Sequence, residues 1–290
     1  MRKIVLVSGL GRSGTNLTRR IIGSHSKIAI PPAEFKFFSE HARGKSVRDI
    51  LSNERLEQWN VDFSDLYSCE PRDVYVKSLT RYAESIGKEI LGEKTPLNEF
   101  YYDTIQDWLQ DFEIKFVHMV RNPFDVVASQ KHMFGKTNRK IDVSVYCRNW
   151  QRSVSMGLAR ANNNPKGYYL LRFEDLTADA VTVTRDLCDF LEVDFEQDRM
   201  LTLSDFSGHR DNTSFVDVNS KADKKYTAIR QPQSRKHFLT DPEKRAVGSI
   251  CGELALALGY QDDDFKSFPP DSERPSRGGK LRRFVKSRMS

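Results

Sequence analysis

Three short segments of this chain carry side chains suited to holding or moving charge. The first is SGLGRSGTN, Ser8 to Asn16, which follows the apolar run Lys3 to Ser8 and leads into a helical pattern. Its glycines Gly9, Gly11 and Gly14 permit a tight turn that aims successive backbone N–H groups at one anion, with the helix dipole behind them. A nucleoside-triphosphate loop of the form GxxxxGK[ST], counted from Gly9, has lysine and then a hydroxyl residue at positions 15 and 16; here Thr15 and Asn16 stand there. The loop therefore suits a single phosphate held without a metal, with Arg12, Ser13 and Thr15 as extra donors. The second segment, RNPFDVVAS, runs from Arg121 to Ser129. A guanidinium and a serine two helical turns apart suit a dianionic phosphate monoester. Asp125, four residues after Arg121, can instead form an ion pair with it. The third, GEKTP, puts Lys94 at a strand end, where Pro96 keeps Thr95 extended.

Strands and helices must bring these side chains together. Strand signals recur at Lys3 to Ser8, Lys27 to Ile30, Glu89 to Lys94, Ile114 to Val120 and Gly167 to Arg172, several of them apolar nearly throughout, as buried parallel strands are. Helical patterns lie between them: Asn98 to Phe112, a helix opened by Asn122 and Pro123, and a stripe of Val143, Tyr146, Trp150, Val154 and Leu158. Two further stripes are Val183, Leu187 and Phe190, and Ala246, Ile250, Leu254 and Leu258, the last ended by Gly259. This alternation predicts an α/β fold, an open parallel β-sheet of the P-loop type with helices on both faces and ligands outside the carboxyl ends of the strands. Leu203 to Phe238 reads as a long polar loop.

The chain has 290 residues, 38% of them hydrophobic, with a net charge of +6. The last twenty residues hold seven Lys/Arg against two acids, which leaves the rest near neutral. The expected organisation is one domain over residues 1–270 and a basic tail over 271–290. No aromatic-interleaved basic stripe supports a specific nucleic-acid partner. No apolar run approaches the ~20 residues of a membrane span, and the first strand begins at once, so a cytoplasmic location is the expectation. Cys69, Cys147, Cys188 and Cys251 lack metal-ligand spacing and read as buried reduced thiols.

The three segments, in this order and spacing, resemble sulfotransferases that use 3'-phosphoadenosine 5'-phosphosulfate (PAPS), over roughly residues 3 to 260. LLRFEDL, Leu170 to Leu176, is similar to a later strand-to-helix signature of that family, and RKH, Arg235 to His237, to its C-terminal end. The likeness is greatest to the branch with tyrosylprotein sulfotransferases and many bacterial relatives. The resemblance implies transfer of a sulfuryl group from PAPS to a hydroxyl-bearing acceptor, leaving 3',5'-bisphosphoadenosine (PAP), with no metal. It implies Glu34 as general base, assisted by Arg12 and Lys94, and a nucleotide-binding set of Arg12, Ser13, Gly14, Thr15, Asn16, Arg121, Ser129, Phe173, Ser214 and Arg235. Phe35, Phe37 and Phe38 beside Glu34 are expected to desolvate it and raise its pKa. Glu40 and His41 are rival bases, and His25 reads as a packing or capping residue. Asn16 departs from a commoner hydroxyl residue, and Phe173 from a commoner Tyr. The other readings are a nucleotide or small-molecule kinase, which lacks its loop lysine here, and a non-catalytic nucleotide-binding protein.

Overall fold

The architecture is that of a computed structural model in which residues 1–135, 141–202, 216–218, 226–229, 232–260 and 265 are described. Its contacts divide the chain into two compact units. The first comprises Met1–Gly9, Gly14–Val120 and Arg160–Pro232, the second Leu10–Ser13, Arg121–Ala159 and Gln233–Ser290.

The first unit holds β1 (Arg2–Gly9), α1 (Thr15–Gly23), β2 (Ile28–Ala29), α2 (Phe37–His41), α3 (Val47–Leu51), α4 (Pro71–Ser85), β3 (Ile90–Lys94), α5 (Tyr102–Trp108) and β4 (Phe112–Val120). The chain returns to it at the end of a long helix, and the strands pair in the order β2-β3-β1-β4-β5, all parallel, with β5 at Tyr168–Arg172, followed by α8 (Phe173–Ala178), α9 (Ala180–Leu191) and α10 (Gln197–Thr202). All five expected strands are present, each within two residues of its expected ends. Alternation along β1 shows why both faces are covered. Ile4 and Leu6 enter one apolar cluster with α4 and α5, while Val5 and Val7 enter a second with α1 and α9. Each fully buried aliphatic of this kind contributes ~1.5–3 kcal/mol.

Several expectations shift. The helix expected over Asn98 to Phe112 is a 3₁₀ turn at Asn98–Tyr101 followed by the seven-residue α5, and Phe112 already begins β4. Leu97 takes a left-handed backbone, φ 73°, and its N–H donates to the Gly9 carbonyl at 3.1 Å, so the chain is bound to β1 before helix begins. The helix α4, opened by Pro71, has no counterpart in the sequence reading. Within the expected polar loop, Val216–Val218 and Tyr226–Ile229 pair as an antiparallel hairpin.

The second unit contains α6 (Pro123–Gly135), most of α7 (Val143–Asn163) and α11 (Asp241–Ala257). The start of α6 follows the sequence: Asn122 Oδ1 accepts from Phe124 N–H at 2.9 Å. Buried side chains on α7 include Val143, Cys147, Trp150 and Val154, with Tyr146 only half-buried. On α11 they are Val247, Cys251 and Leu254, one residue on from the expected Ala246 and Ile250. A Thr240/Glu243 capping box opens α11, and Gly259, φ 81°, follows its end. Cys147, Cys188 and Cys251 are buried thiols; Cys69 is only half-buried, with Lys77 Nζ 3.8 Å from its sulfur. Among the described residues no helix is long and apolar enough to cross a membrane. Ser214 and the tail at 271–290 lie outside the described residues.

Candidate active site

In the second unit, two arginines meet on one serine and a third holds the backbone of one of them. Ser129 lies on α6, 2% exposed. Its Oγ accepts from Arg12 Nε at 3.0 Å and from Arg235 Nη1 at 3.4 Å. Arg121 Nη1 donates to the Arg12 carbonyl at 3.3 Å, and Gln130 Nε2 donates to the Gly11 carbonyl at 2.9 Å. The stretch Gly11–Arg12 is thus held by its backbone from α6 and from the residue that follows β4. Arg12 is left-handed, φ 79°, a strained conformation for a side-chain-bearing residue that these two bonds help maintain. Burial pushes the Arg12 guanidinium pKa down, and the positive charges of Arg235 and then Arg121 push it further the same way. Like charges assembled at this cost are what an anion with more than one negative charge relieves.

Sequence reasoning gave Arg12 to one phosphate and Arg121 and Ser129 to another, with Arg235 as a nucleotide contact assigned to neither. The structure joins all four in one cluster. Asp125 takes neither role expected of a free or Arg121-paired carboxylate: its Oδ1 accepts from Ser234 Oγ at 2.8 Å and from Arg235 N–H at 2.9 Å.

The rest of the phosphate loop belongs to the first unit. Gly14 caps α1 with φ 100°, and a Cβ there would overlap the Phe173 ring. Phe173, expected among the nucleotide contacts, is 1% exposed and packs in the core beneath Gly14. Its place is to shape the loop rather than to face a ligand. Thr15 is buried and Asn16 half-buried in the first turn of α1. Ser13, on the second unit, is buried, its N–H donating to the Leu10 carbonyl at 3.1 Å.

A second cluster lies at the end of β3, within the first unit. Lys94 Nζ is 2.7 Å from Glu34 Oε1, and Lys36 Nζ is 3.2 Å from Glu34 Oε2. Lys94 is buried, whereas the Lys36 side chain is 40% exposed and open to solvent. Behind them stands a buried carboxylate. Glu93 accepts from Tyr75 Oη at 2.5 Å, Thr95 Oγ1 at 2.5 Å and Asn98 Nδ2 at 3.4 Å. Thr95 Oγ1 in turn accepts from Lys36 N–H at 3.1 Å, which fixes the left-handed Lys36, φ 57°. Burial raises the Glu93 pKa.

The expected rise of the Glu34 pKa is not what this geometry produces. Burial does act upward, but the charge and hydrogen bond of Lys94, then those of Lys36, outweigh it, and the net shift is down. The aromatic neighbours explain the difference. Phe35, Phe37 and Phe38 turn into the core, where Phe35 stacks on Tyr75 at 5.7 Å, and leave the carboxylate to the two lysines.

A sequence model of the sulfotransferase family matches residues 5–197, well over half of the chain. The chain belongs to the sulfotransferase family. Solved sulfotransferases share its fold. A sulfotransferase domain from the curacin biosynthetic pathway is 21% identical with a TM-score of 0.58, covering 88% of this chain and 98% of that one. The sulfotransferase domain of the Synechococcus PCC 7002 olefin synthase is 17% identical, TM-score 0.52, covering 100% and 96%. A sulfotransferase from Alicyclobacillus acidocaldarius is 16% identical, TM-score 0.52, covering 92% and 99%. A search of curated protein sequences finds no match. The kinase reading falls with the family match, and Arg235 of this sulfotransferase lies beyond the matched span.

In this sulfotransferase the rival bases are occupied elsewhere. Glu40 is buried, pairs with Lys45 at 2.7 Å, and has its pKa lowered chiefly by that hydrogen bond. His41 packs its ring against Phe37 and Trp108. His25 is fully buried; Nδ1 accepts from Lys27 N–H, which leaves Nε2 to donate to the Asp194 carbonyl, both at 3.0 Å. The sequence reading missed Lys36, Glu93, Thr95 and Gln130. Lys36 left only the faint signal of a lysine two residues from Glu34, since extended chain would have turned the two side chains to the same side without fixing their contact.

Proposed function

We propose that this sulfotransferase moves the sulfuryl group of PAPS to an acceptor hydroxyl by in-line displacement, with Glu34 as general base. The observation that carries the donor reading is the meeting of Arg12 and Arg235 on Ser129, with Arg121 bonded to the Arg12 carbonyl and its charge acting on the Arg12 guanidinium. Three always-charged groups and a neutral donor match a dianionic monoester such as a 3'-phosphate. Chain connectivity supports the same reading: Leu10–Ser13 run on from the carboxyl end of β1 and Arg121 from that of β4, and parallel sheets bind ligands at their carboxyl ends.

At the other cluster, the two lysines hold Glu34 as a carboxylate, ready to accept the acceptor's proton. Lys94, buried and paired with Glu34, stabilises negative charge developing on the transferring group, and the N–H groups of Gly14 to Asn16 cradle the 5' side of the donor. Arg12 binds the donor and adds positive charge there. Positioning and fixed charge supply most of the acceleration in such transfers. The acceptor is a small molecule, carbohydrate or peptide bearing a hydroxyl.

Calorimetry tests the donor. PAP should bind tightly, adenosine 5'-monophosphate (AMP) much more weakly, and ATP with magnesium no better than AMP. Arg121→Ala should remove most of the preference for PAP over AMP. Equal affinity of the wild type for PAP and AMP refutes the assignment of the arginine cluster.

A further inference from the structure

The sequence left Asp125 as a partner for Arg121, yet the structure spends its carboxylate elsewhere. Asp125 and Ser129 are four residues apart on α6 and so lie on one face of that helix, one turn from each other. Asp125 Oδ1 accepts from both the Ser234 hydroxyl and the Arg235 backbone N–H. The Arg235 side chain then reaches back one turn along the helix, where Nη1 donates to Ser129 Oγ at 3.4 Å. The same segment continues as a 3₁₀ turn, Lys236–Phe238, in which Phe238 N–H donates to the Arg235 carbonyl at 2.9 Å and Lys236 N–H to Ser234 Oγ at 3.3 Å.

We infer that Asp125 is a positioning residue for donor recognition: it grips the backbone at Ser234–Arg235 and so aims the Arg235 guanidinium at the anion held around Ser129. The inference rests on the PAPS reading above and deepens it. A long, flexible arginine on a chain segment without regular structure loses much rotamer freedom when it binds, and fixing its Cα from the helix that carries Ser129 removes part of that cost in advance. The charge of Asp125 is not what does this. Both of its partners are neutral donors, so an amide oxygen in the same place performs the same task.

That feature separates the inference from two plainer roles. If Asp125 served as an Arg121 ion pair, or as a charge complementing the N-terminal end of α6, then Asp125→Asn would be as harmful as Asp125→Ala. If it positions Arg235, asparagine rescues. The segment has anchors besides Asp125, since Phe238 packs on His132 of α6 with ring centroids 4.4 Å apart and Lys131 pairs with Glu243 at 2.6 Å. Removing Asp125 therefore loosens the aim of Arg235 without freeing the chain around it.

The test is the affinity for PAP and for AMP, by calorimetry and by competition, in the wild type, Asp125→Ala, Asp125→Asn, Arg235→Ala and the Asp125→Ala/Arg235→Ala double variant. Thermal unfolding checks that each is folded. Loss of two hydrogen bonds that fix a charged ligand should lower the PAP-over-AMP preference of Asp125→Ala about tenfold, leaving AMP affinity unchanged. Asp125→Asn should keep most of the preference, and the double variant should be no worse than Arg235→Ala alone. An Asp125→Ala protein that keeps the full preference overturns the inference while leaving the donor reading intact. So does an Asp125→Asn protein as impaired as the alanine variant, or additive losses in the double variant. A wild type without preference for PAP overturns the donor reading and the inference together. Ser234→Ala, which removes one of the two bonds, should fall between the wild type and Asp125→Ala.

Discussion

Replacing Lys94 by methionine keeps most of the side chain's length and volume and deletes its charge. The ammonium it removes is 2.7 Å from Glu34 Oε1, and the Lys94 side chain is only 3% exposed, so water cannot easily take its place. Two consequences follow, and they are read in different parts of one experiment. The first is loss of a buried cation that faces developing negative charge, for which a fall of about 10²- to 10³-fold in kcat is expected. The second concerns Glu34, the proposed base. Burial acts to raise the Glu34 pKa, and Lys94 is the larger of the two opposing influences. Without it, only Lys36 opposes burial, and that side chain is 40% exposed and screened by solvent. The Glu34 pKa therefore moves up. With the carboxylate as the active form, as proposed, activity should be present above this pKa and lost as pH falls through it. The acidic limb of the kcat/KM profile, expected below the ordinary carboxylate range in the wild type, should shift to higher pH in Lys94→Met. Initial rates of transfer from radiolabelled PAPS, measured across pH on a panel of phenolic, carbohydrate and peptide acceptors, read both effects, and PAP affinity is measured alongside. Glu34→Gln should abolish the acidic limb, with a fall of ~10²- to 10⁴-fold in rate and little change in PAP affinity. An acidic limb that stays in place or moves down in Lys94→Met, or a loss confined to PAP affinity, refutes the assignment of Lys94 and Glu34 as a working pair.

Gly14→Ala should cost roughly 2–5 kcal/mol, combining a side chain at φ 100° with its overlap of the Phe173 ring, and should weaken PAP binding as the loop is displaced. Adding Phe173→Leu should restore part of the loss in thermal unfolding; no restoration would show that the ring is not the obstacle. At the opposite edge of the sheet, Glu192 is bound by Lys115 at 2.8 Å and Lys3 at 3.1 Å, and these hydrogen bonds bring its carboxyl pKa down to about 2. The stabilisation is present above the ordinary carboxylate range and disappears as pH falls through about 2. The carboxylate is more than half exposed, so Glu192→Gln should cost no more than ~1 kcal/mol at neutral pH. A melting-temperature difference from the wild type that persists unchanged at pH 2 would contradict this account.

Legibility in the sequence followed the range of the forces involved. Strand periodicity, the glycine turn and the Asn122-Pro123 helix start are local, set by backbone sterics and by partners within a few residues. They were readable, as was the α/β class. The 3₁₀ turn at Asn98–Tyr101 was not, because the Leu97 N–H finds its acceptor on Gly9, 88 positions away along the chain. On α11, the half-apolar pattern allowed a stripe starting at Ala246 or Val247, and only packing chose the second.

The candidate site divides the same way. The residue types of a phosphate loop without its lysine, an arginine after β4 and a lysine at the end of β3 were enough to name the anion chemistry and the family, because those features lie in contiguous motifs. What they do to one another depended on contacts between distant segments. Whether Glu34 has a raised or a lowered pKa is a contest between burial and two cations, and its sign turns on Lys94 reaching across 60 residues of chain to 2.7 Å. The gathering of Arg12 with Arg235 on Ser129, and the turn of Asp125 away to the Arg235 backbone, are likewise tertiary facts. A sequence records which charges exist; only the fold sets their distances, and electrostatic energy depends on distance and burial.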